Sequence, residues 1–185
     1  MIDDWLKDAE TRMAKSIEAL HKELGTIRTG RATPALVERL QVDYYGAPTP
    51  LQSLASVSAP EARLLVIQPY DRNAIAGIEK ALQRSDLGLN PSNDGQLIRI
   101  PVPPLTEERR KELVKLVKRH AEEARVAIRN IRRDEIEHIR KVEKDGEAGS
   151  DDVERGVQQI QKITDRFVAK AEEIAEHKEE EILEV

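Results

Sequence analysis

The residues best suited to chemistry in this chain are a row of basic side chains between positions 109 and 133. This stretch holds ten lysines and arginines against three acidic residues, a local charge of +7. A spacing of three, four or seven residues places six of them on one side of a helix, within an arc of about 100°. The apolar stripe of the same helix is expected on the opposite side, so the row should face water. The row consists of Lys111, Lys115, Lys118, Arg125, Arg129 and Arg132.

The C-terminal end of this row is the candidate phosphate-binding patch. There the row changes from lysine to arginine, and Arg133 lies beside Arg132. A planar guanidinium group makes bidentate contacts with phosphate oxygens. Glu122 interrupts the row between Lys118 and Arg125. No aromatic residue is interleaved with the arginines, which argues against base stacking, so a bound RNA would be recognised through its phosphates and shape.

The charge pattern also has a simpler interpretation, because most charged helix faces only contact water. The net charge is −5, divided into −1 for residues 1–105, +4 for residues 106–144 and −8 for residues 145–185. An acidic third helix lying beside the basic row could neutralise it. The overall charge argues against a nucleic-acid partner and its distribution favours one, so charge alone leaves both interpretations open.

Catalytic and metal chemistry finds little support in the sequence. The chain has no cysteine, which excludes thiol nucleophiles, thiolate zinc sites and iron–sulfur clusters. It contains neither GxxxxGK[ST] nor GxGxxG, so phosphate-cradling loops of these kinds are absent. The four histidines are scattered over the predicted helices without metal-ligand spacing, and we interpret them as surface residues. We therefore expect no catalytic residue, no metal and no cofactor. The histidines are His21, His120, His138 and His177.

The positions of the prolines indicate which segments can form the helices that carry the basic row. All nine prolines lie between Pro34 and Pro104. A proline costs about 3 kcal/mol inside a helix. Residues 1–24 and 105–145 contain neither proline nor glycine, and residues 150–185 contain only Gly156. Apolar residues recur in each stretch at steps of three and four, which predicts three amphipathic helices. Their stripes run over residues 2–27, 113–142 and 153–174.

Local signals predict where the second and third helices begin. Thr106 follows a Pro-Pro pair and can cap the second helix, and two glutamates then suit the positive end of the helix dipole. A helix over residues 106–144 would span roughly 58 Å. After the glycine-containing loop 145–149, Ser150 or Asp151 can cap the third helix.

The proline-containing middle predicts a small α+β domain. Residues 42–45, 54–57, 64–67 and 97–101 are strand-like, and residues 71–83 carry the pattern of a short helix. Three apolar stripes can bury one another in a bundle. We therefore predict an α+β protein, an elongated three-helix bundle (residues 1–30 and 105–185) with an inserted small β/α/β domain (residues 31–104). The two-stranded hinge between them is predicted at Gly30, Arg31, Pro103, Pro104 and Leu105.

Four motifs, three of them at the predicted hinge or along the basic row, resemble those of the ribosome recycling factor family. The resemblance covers the whole chain, with the same order of helix, inserted domain and two helices, although loop 145–150 and residues 135–137 depart from the common pattern. It implies a three-helix bundle hinged to a β/α/β domain, with an outline similar to that of tRNA. The motifs are IRTGRA at 27–32, DLGLNP at 86–91, PPLTEERR at 103–110 and ARVAIRNIRRD at 124–134.

The same resemblance implies a function. Such factors bind the 70S ribosome after termination, with the bundle across the A and P sites of the 50S subunit. Together with elongation factor G and GTP they split the ribosome into subunits and release mRNA and tRNA. The resemblance implies contacts with large-subunit rRNA from seven arginines: Arg129, Arg132, Arg133 and Arg125 in the row, and Arg110, Arg28 and Arg31 near the hinge end.

Two other functions are left open by the residues alone. A helical adaptor or coiled-coil scaffold would use the apolar stripes for self-association, and sedimentation separates it from the monomer of about 21 kDa that we expect. An enzyme would need a cleft in the middle domain.

The longest apolar run, at residues 64–67, is far short of the roughly 20 residues of a membrane helix. Acidic residues at positions 3 and 4 argue against a secretory signal, so we expect a cytoplasmic protein without a membrane partner.

Overall fold

The computed structural model describes residues 1–184, and the chain divides into two compact units. The helical unit consists of residues 1–28 and the chain from Thr106 onward, and the sheet unit consists of residues 29–105. The helices are α1 (Ile2–Gly25), α2 (Leu51–Leu54), α3 (Ile75–Arg84), α4 (Glu107–Lys144) and α5 (Ser150–Leu183). The strands are β1 (Gln41–Tyr44), β2 (Ala47–Pro50), β3 (Ala55–Glu61), β4 (Leu64–Pro69), β5 (Ser92–Asn93) and β6 (Ile98–Pro101).

The helical unit is built from α1, α4 and α5, which pack against one another in pairs. Their apolar stripes form its core, as the periodicity predicts. Met13 and Leu20 of α1, Ile128 and Ile139 of α4 and Ile160 of α5 are each at most 1% exposed. No helix within residues 1–184 is both long and apolar enough to cross a membrane.

The start of α4 confirms the predicted cap, whereas the start of α5 does not. The Thr106 hydroxyl accepts a hydrogen bond from the Arg109 backbone N–H at 3.1 Å. For α5, a side-chain cap from Ser150 or Asp151 is wrong. The N-cap is Gly149, whose carbonyl accepts from the Val153 N–H at 3.1 Å. Ser150 is therefore already the first helical residue, one position too late to cap the helix.

The sheet unit contains a two-stranded hairpin, β1–β2, and a four-stranded antiparallel sheet with the order β3-β4-β6-β5. Helix α3 packs against β1. The core of this unit contains the inward side chains of the two central strands and of α3. The fully buried residues among these are Leu65, Ile67, Ile98, Ile100, Ile78 and Leu82.

The strand pattern of the sheet unit was predicted only in part. The segments at 42–45, 64–67 and 97–101 are confirmed to within about two residues, but β2 is missed because Pro48 and Pro50 lie within it. Strand β2 pairs only with β1, and such an edge strand tolerates residues that lack an N–H. The strand predicted at 54–57 begins one residue later and extends to Glu61, because Leu54 belongs to α2. Together the two units confirm the α+β class.

Candidate nucleic-acid interface

Helix α4 places four of the predicted arginines on one side. Arg125, Arg129, Arg132 and Arg133, which we call the arginine patch, lie within an arc of about 100° at 100° per residue. The expectation that the row faces water is confirmed for its three lysines and Arg129, but the row does not lie directly opposite the apolar stripe. Arg125 and Arg132 are half-buried because the row is rotated by only about 110° from the centre of the buried residues. Arg129 and Arg133 are exposed.

Glu122 is bonded to the N-terminal part of the patch. Its Oε2 accepts hydrogen bonds from Nε and Nη2 of Arg125 at 3.0 and 2.7 Å, and its Oε1 lies 3.8 Å from Nη1 of Arg129. The hydrogen bonds from Arg125 hold the pKa of Glu122 below its usual value. The carboxylate therefore stays ionised at neutral pH and offsets one positive charge of the patch.

The C-terminal part of the patch has few partners within the protein. Nη1 of Arg132 lies 3.5 Å from Oε1 of Gln161 on α5, at the limit for a hydrogen bond. Arg133 makes no hydrogen bond or ion pair with any of residues 1–184. Arg12 of α1 neutralises the neighbouring Asp134, since its Nη2 lies 3.0 Å from Asp134 Oδ2. The guanidinium of Arg133 is therefore available to an external anion.

The carboxylate of Glu135, next to Asp134 in the chain, is buried, which the sequence did not reveal. The side chain of Glu135 is fully buried, and its Oε1 accepts a hydrogen bond from Arg12 Nη1 at 2.9 Å. Its Oε2 is buried without a hydrogen-bond partner among the described residues. Burial raises the pKa of Glu135, the neighbouring Asp8 raises it further, and Arg12 opposes the rise. Arg12 thus links α1 to two consecutive acids of α4.

The other three predicted arginines lie outside the patch. Arg110 lies 15 residues before Arg125 on α4, about 22 Å along the helix axis. It is half-buried, and its Nε is buried without a hydrogen-bond partner among residues 1–184. Arg28 is half-buried and is the last residue of the first segment of the helical unit, whereas Arg31 is exposed and belongs to the sheet unit.

The predicted hinge residues lie in the two chain connections at positions 29–31 and 103–105. Gly30 is buried and has a φ of +78°, a conformation that residues with a Cβ rarely adopt. A Cβ added there would lie 3.2 Å from Cγ of Leu105 and 3.3 Å from its backbone N. The two connections therefore run side by side within the sheet unit, and a side chain at position 30 would push them apart.

Both connections are anchored to the same turn, between β3 and β4. The N–H of Ala32 donates to the carbonyl of Ala62 at 2.7 Å, and the N–H of Val102 donates to the carbonyl of Arg63 at 2.8 Å. The pair Pro103 and Pro104 follows, exposed and unable to donate backbone hydrogen bonds. The chain thus leaves the sheet unit at two neighbouring points.

The histidines differ from one another in a way that the sequence did not predict. His21, His138 and His177 are exposed, as expected, and the His138 ring stacks on Trp5 with 4.4 Å between the ring centroids. His120 is less exposed than the interpretation as a surface residue predicts. It is only 18% exposed and lies between Glu23 of α1 and Glu123 of α4. The neighbours of His120 are brought together by helix packing, which sequence spacing does not reveal.

Comparison with known proteins decides the family. A family model described as "Ribosome recycling factor" matches residues 20–183 of this chain. The chain belongs to the ribosome recycling factor family. The resemblance seen in the four sequence motifs is confirmed.

Bacterial relatives with the name "Ribosome-recycling factor" match this chain along all or nearly all of their length. The protein of Halalkalibacterium halodurans and that of Thermomicrobium roseum are each 57% identical over 185 residues, with both chains covered completely. The protein of Shouchella clausii is 60% identical over 178 residues, 96% of each chain.

Two solved structures of ribosome recycling factors share the fold. A solution structure of the ribosome recycling factor is 42% identical, has a TM-score of 0.76 and is matched over 100% of this chain and 98% of its own. A structure of the T. thermophilus ribosome recycling factor and the E. coli elongation factor G bound to the E. coli post-termination complex has a TM-score of 0.65. That match has 51% identity and covers 99% of each chain. Because members of the ribosome recycling factor family are non-enzymatic translation factors, this chain is not an enzyme.

Proposed function

We propose that this chain binds the 70S ribosome after termination and, with elongation factor G and GTP, splits it into subunits. In this proposal the arginine patch contacts rRNA of the 50S subunit, and Arg110, Arg28 and Arg31 add positive charge. Support comes from the similarity to the T. thermophilus factor, whose structure includes the post-termination complex and elongation factor G. The chain has no nucleotide-binding loop motif, so GTP hydrolysis falls to elongation factor G.

The proposal of an rRNA contact rests on the two arginines at the C-terminal end of the patch, which have no strong partner within residues 1–184. Arg133 is exposed and unpaired within residues 1–184, and Arg132 has only a marginal contact with Gln161. The acid beside them is already neutralised by Arg12. Guanidinium groups in this state bind phosphate without first breaking an internal ion pair. Since no aromatic ring lies among them, recognition would follow the shape and phosphates of the rRNA.

The double substitution Arg132→Ala/Arg133→Ala tests this contact. We expect weaker binding to 50S subunits and slower splitting of post-termination ribosomes in the presence of elongation factor G and GTP. The slope of log affinity against log salt should become shallower by about 0.7–0.9 for each phosphate that the variant no longer neutralises. Arg155→Ala is the control, because Arg155 is an exposed arginine of α5 that pairs with Asp152, outside the patch.

The possible outcomes distinguish an error in the proposed rRNA contact from an error in the proposed function. If the double variant binds and splits as the wild type does, the arginine patch is not the rRNA contact. The control removes one positive charge and the double variant removes two, so an impairment half as large on a logarithmic scale would assign the effect to net charge alone. If the wild type does not split ribosomes at all, the proposed function is wrong.

We also propose that the connections at Gly30, Arg31, Pro103, Pro104 and Leu105 act as a hinge during splitting. The chain contains no native cysteine, so an introduced pair with one member in each unit could be cross-linked without competition from native thiols. We expect the oxidised protein to bind 50S subunits but to split ribosomes poorly, and a reductant should restore splitting. Full splitting activity in the oxidised form would show that hinge motion is unnecessary.

The proposal places the chain in the cytoplasm, where it acts on ribosomes as a monomer. Sedimentation of the isolated protein checks the oligomeric state. A species of about 21 kDa agrees with three helices that bury their stripes within one chain. A stable dimer would instead favour the adaptor interpretation.

A further inference from the structure

His120 lies between two carboxylates that come from different helices. Its Nδ1 is 2.8 Å from Oε2 of Glu23 on α1 and 3.5 Å from Oε2 of Glu123 on α4. The three potential ligand atoms all lie within 4.8 Å of one another. Ligands of a tetrahedral Zn²⁺ ion, each about 2.0–2.1 Å from the metal, are about 3.3 Å apart. The two distances from Nδ1 to the carboxylate oxygens, 2.8 and 3.5 Å, are therefore close to the ligand spacing of a zinc site.

Among the described residues, Glu23 and Glu123 are the charged side chains shown next to the imidazole. Its Nδ1 is buried and makes no aligned hydrogen bond with the described residues, although a carboxylate oxygen lies 2.8 Å away. His120 and Glu123 are three residues apart on one helix face. In helical bundles that bind two metal ions, a Glu and a His three residues apart serve as ligands in the order Glu-x-x-His, and here the order is reversed. Glu23 and Glu123 are 48% and 59% exposed, so an ion and a coordinating water have access from solvent.

We propose that Glu23, His120 and Glu123 bind a divalent cation of the zinc type, with water completing the coordination. Two carboxylates and a neutral imidazole carry a charge of −2, which balances the ion. One nitrogen and two carboxylates suit Zn²⁺, whereas Mg²⁺ prefers oxygen ligands in an octahedron and retains most of its waters. Arg119 competes only weakly for these ligands, since its Nε lies 3.9 Å from the other oxygen of Glu123 in an exposed ion pair of little strength.

A bound ion would join two helices at a defined place. Glu23 lies two residues before the end of α1, so the ion would link this end of α1 to α4. The next segment of chain leads to Arg28, the last residue of this part of the helical unit. Because the unfolded chain does not hold the three ligands together, the ion should stabilise the folded state.

The test is a calorimetric titration of Zn²⁺ into the full chain, with Mg²⁺ as the comparison ion. We expect one Zn²⁺ per chain in the wild type and no Mg²⁺ binding. His120→Gln and Glu23→Gln should each weaken Zn²⁺ binding by at least about tenfold. His177→Gln is the matched control, because His177 lies 3.2 Å from Glu181 on its own helix but belongs to no such three-ligand cluster in the described chain. It should bind Zn²⁺ as the wild type does.

A second measurement keeps the test independent of folding differences between the variants. Zn²⁺ at about ten times its Kd should raise the Tm of the wild type by about 3–5 °C and leave that of Glu23→Gln unchanged. The side chain of Glu23 is about half exposed, so Glu23→Gln should fold normally. Absence of saturable binding at millimolar Zn²⁺, or equal binding by wild type and His120→Gln, would overturn the proposal. Loss of binding in His177→Gln would also overturn it, because the site would then lie elsewhere.

Discussion

The charge of the arginine patch depends directly on Glu122, and replacing this residue should strengthen RNA binding. Its carboxylate accepts two hydrogen bonds from Arg125, at 3.0 and 2.7 Å, and lies 3.8 Å from Arg129. Glu122→Gln removes the negative charge and leaves a weaker acceptor in the same place. Both arginines then become more available to the phosphates of rRNA. The variant should therefore bind 50S subunits more tightly than the wild type.

The expected increase in affinity for 50S subunits follows from the change in the charge of the patch. The four arginines and Glu122 together carry a charge of +3, which the substitution raises to +4. If Arg125 and Arg129 together neutralise one more phosphate, the slope of log affinity against log salt steepens by about 0.7–0.9. This corresponds to an affinity increase of about three- to tenfold at low salt, which diminishes as the salt concentration rises.

Binding to 50S subunits across a potassium chloride series measures both quantities. Glu112→Gln is the matched control, because Glu112 forms a comparable pair with Arg109 at 2.9 Å near the other end of α4. We expect that variant to bind as the wild type does. Weaker binding by Glu122→Gln would refute the reasoning, since Glu122 would then hold Arg125 in its binding conformation. Equal increases in both variants would assign the effect to net charge and not to the patch.

Three further predictions concern the scaffold. Gly77→Ala should destabilise the protein even though alanine normally adds about 1 kcal/mol of stability in a helix, because the added carbon would lie 2.9 Å from a backbone carbonyl oxygen of β1. At Gly25, the last residue of α1, an added Cβ would meet no side chain and no backbone outside its own helix segment within 4 Å, so Gly25→Ala should not destabilise the protein. Chemical denaturation that finds Gly77→Ala stabilised as well would contradict the clash with the carbonyl oxygen. Since burial raises the pKa of Glu135, the folded state holds this proton more tightly than the unfolded state. The free energy of unfolding should therefore fall as the pH rises from the usual glutamate range through the raised pKa. Glu135→Gln should remove that fall and raise the free energy of unfolding at neutral pH. Thermal unfolding curves with the same pH dependence in both proteins would contradict this prediction. Thr106→Ala should lower the free energy of unfolding by about 1 kcal/mol, because it removes the side-chain cap of α4. Ser150→Ala, at a position that caps no helix, should lower it far less in the same chemical denaturation assay.

The helices could be predicted from the sequence because two independent signals agree on them. The prolines mark where helices cannot be, and the apolar periodicity marks the faces that must be buried, such as the stripe through Met13 and Leu20. For the hairpin β1–β2, the positions of the prolines do not agree with the observed strands. Its second strand contains Pro48 and Pro50, which normally indicate the end of a strand, and only the position of β2 at an edge makes them acceptable.

The arginine patch was predicted more completely than its surroundings. The spacing of Arg125, Arg129 and Arg132 fixes their common side of α4 without knowledge of any other element. What each arginine contacts depends on helix packing, which brings Gln161 of α5 to Arg132. The same packing brings Glu23 to His120 across 97 positions of sequence, so no local spacing could have indicated that cluster.

Glu135 connects the packing of the core with the charge around the arginine patch. It lies at the spacing of the buried residues Ile128, Ile131 and Ile139, so its position predicts burial while its charge predicts exposure. Arg12 resolves the conflict by bonding to Glu135 and, with its second nitrogen, to Asp134. The same guanidinium thus offsets a buried charge in the core and neutralises the acid beside Arg133. An uncharged residue at position 12 would therefore weaken the packing of α1 on α4 and also lower the positive potential of the patch.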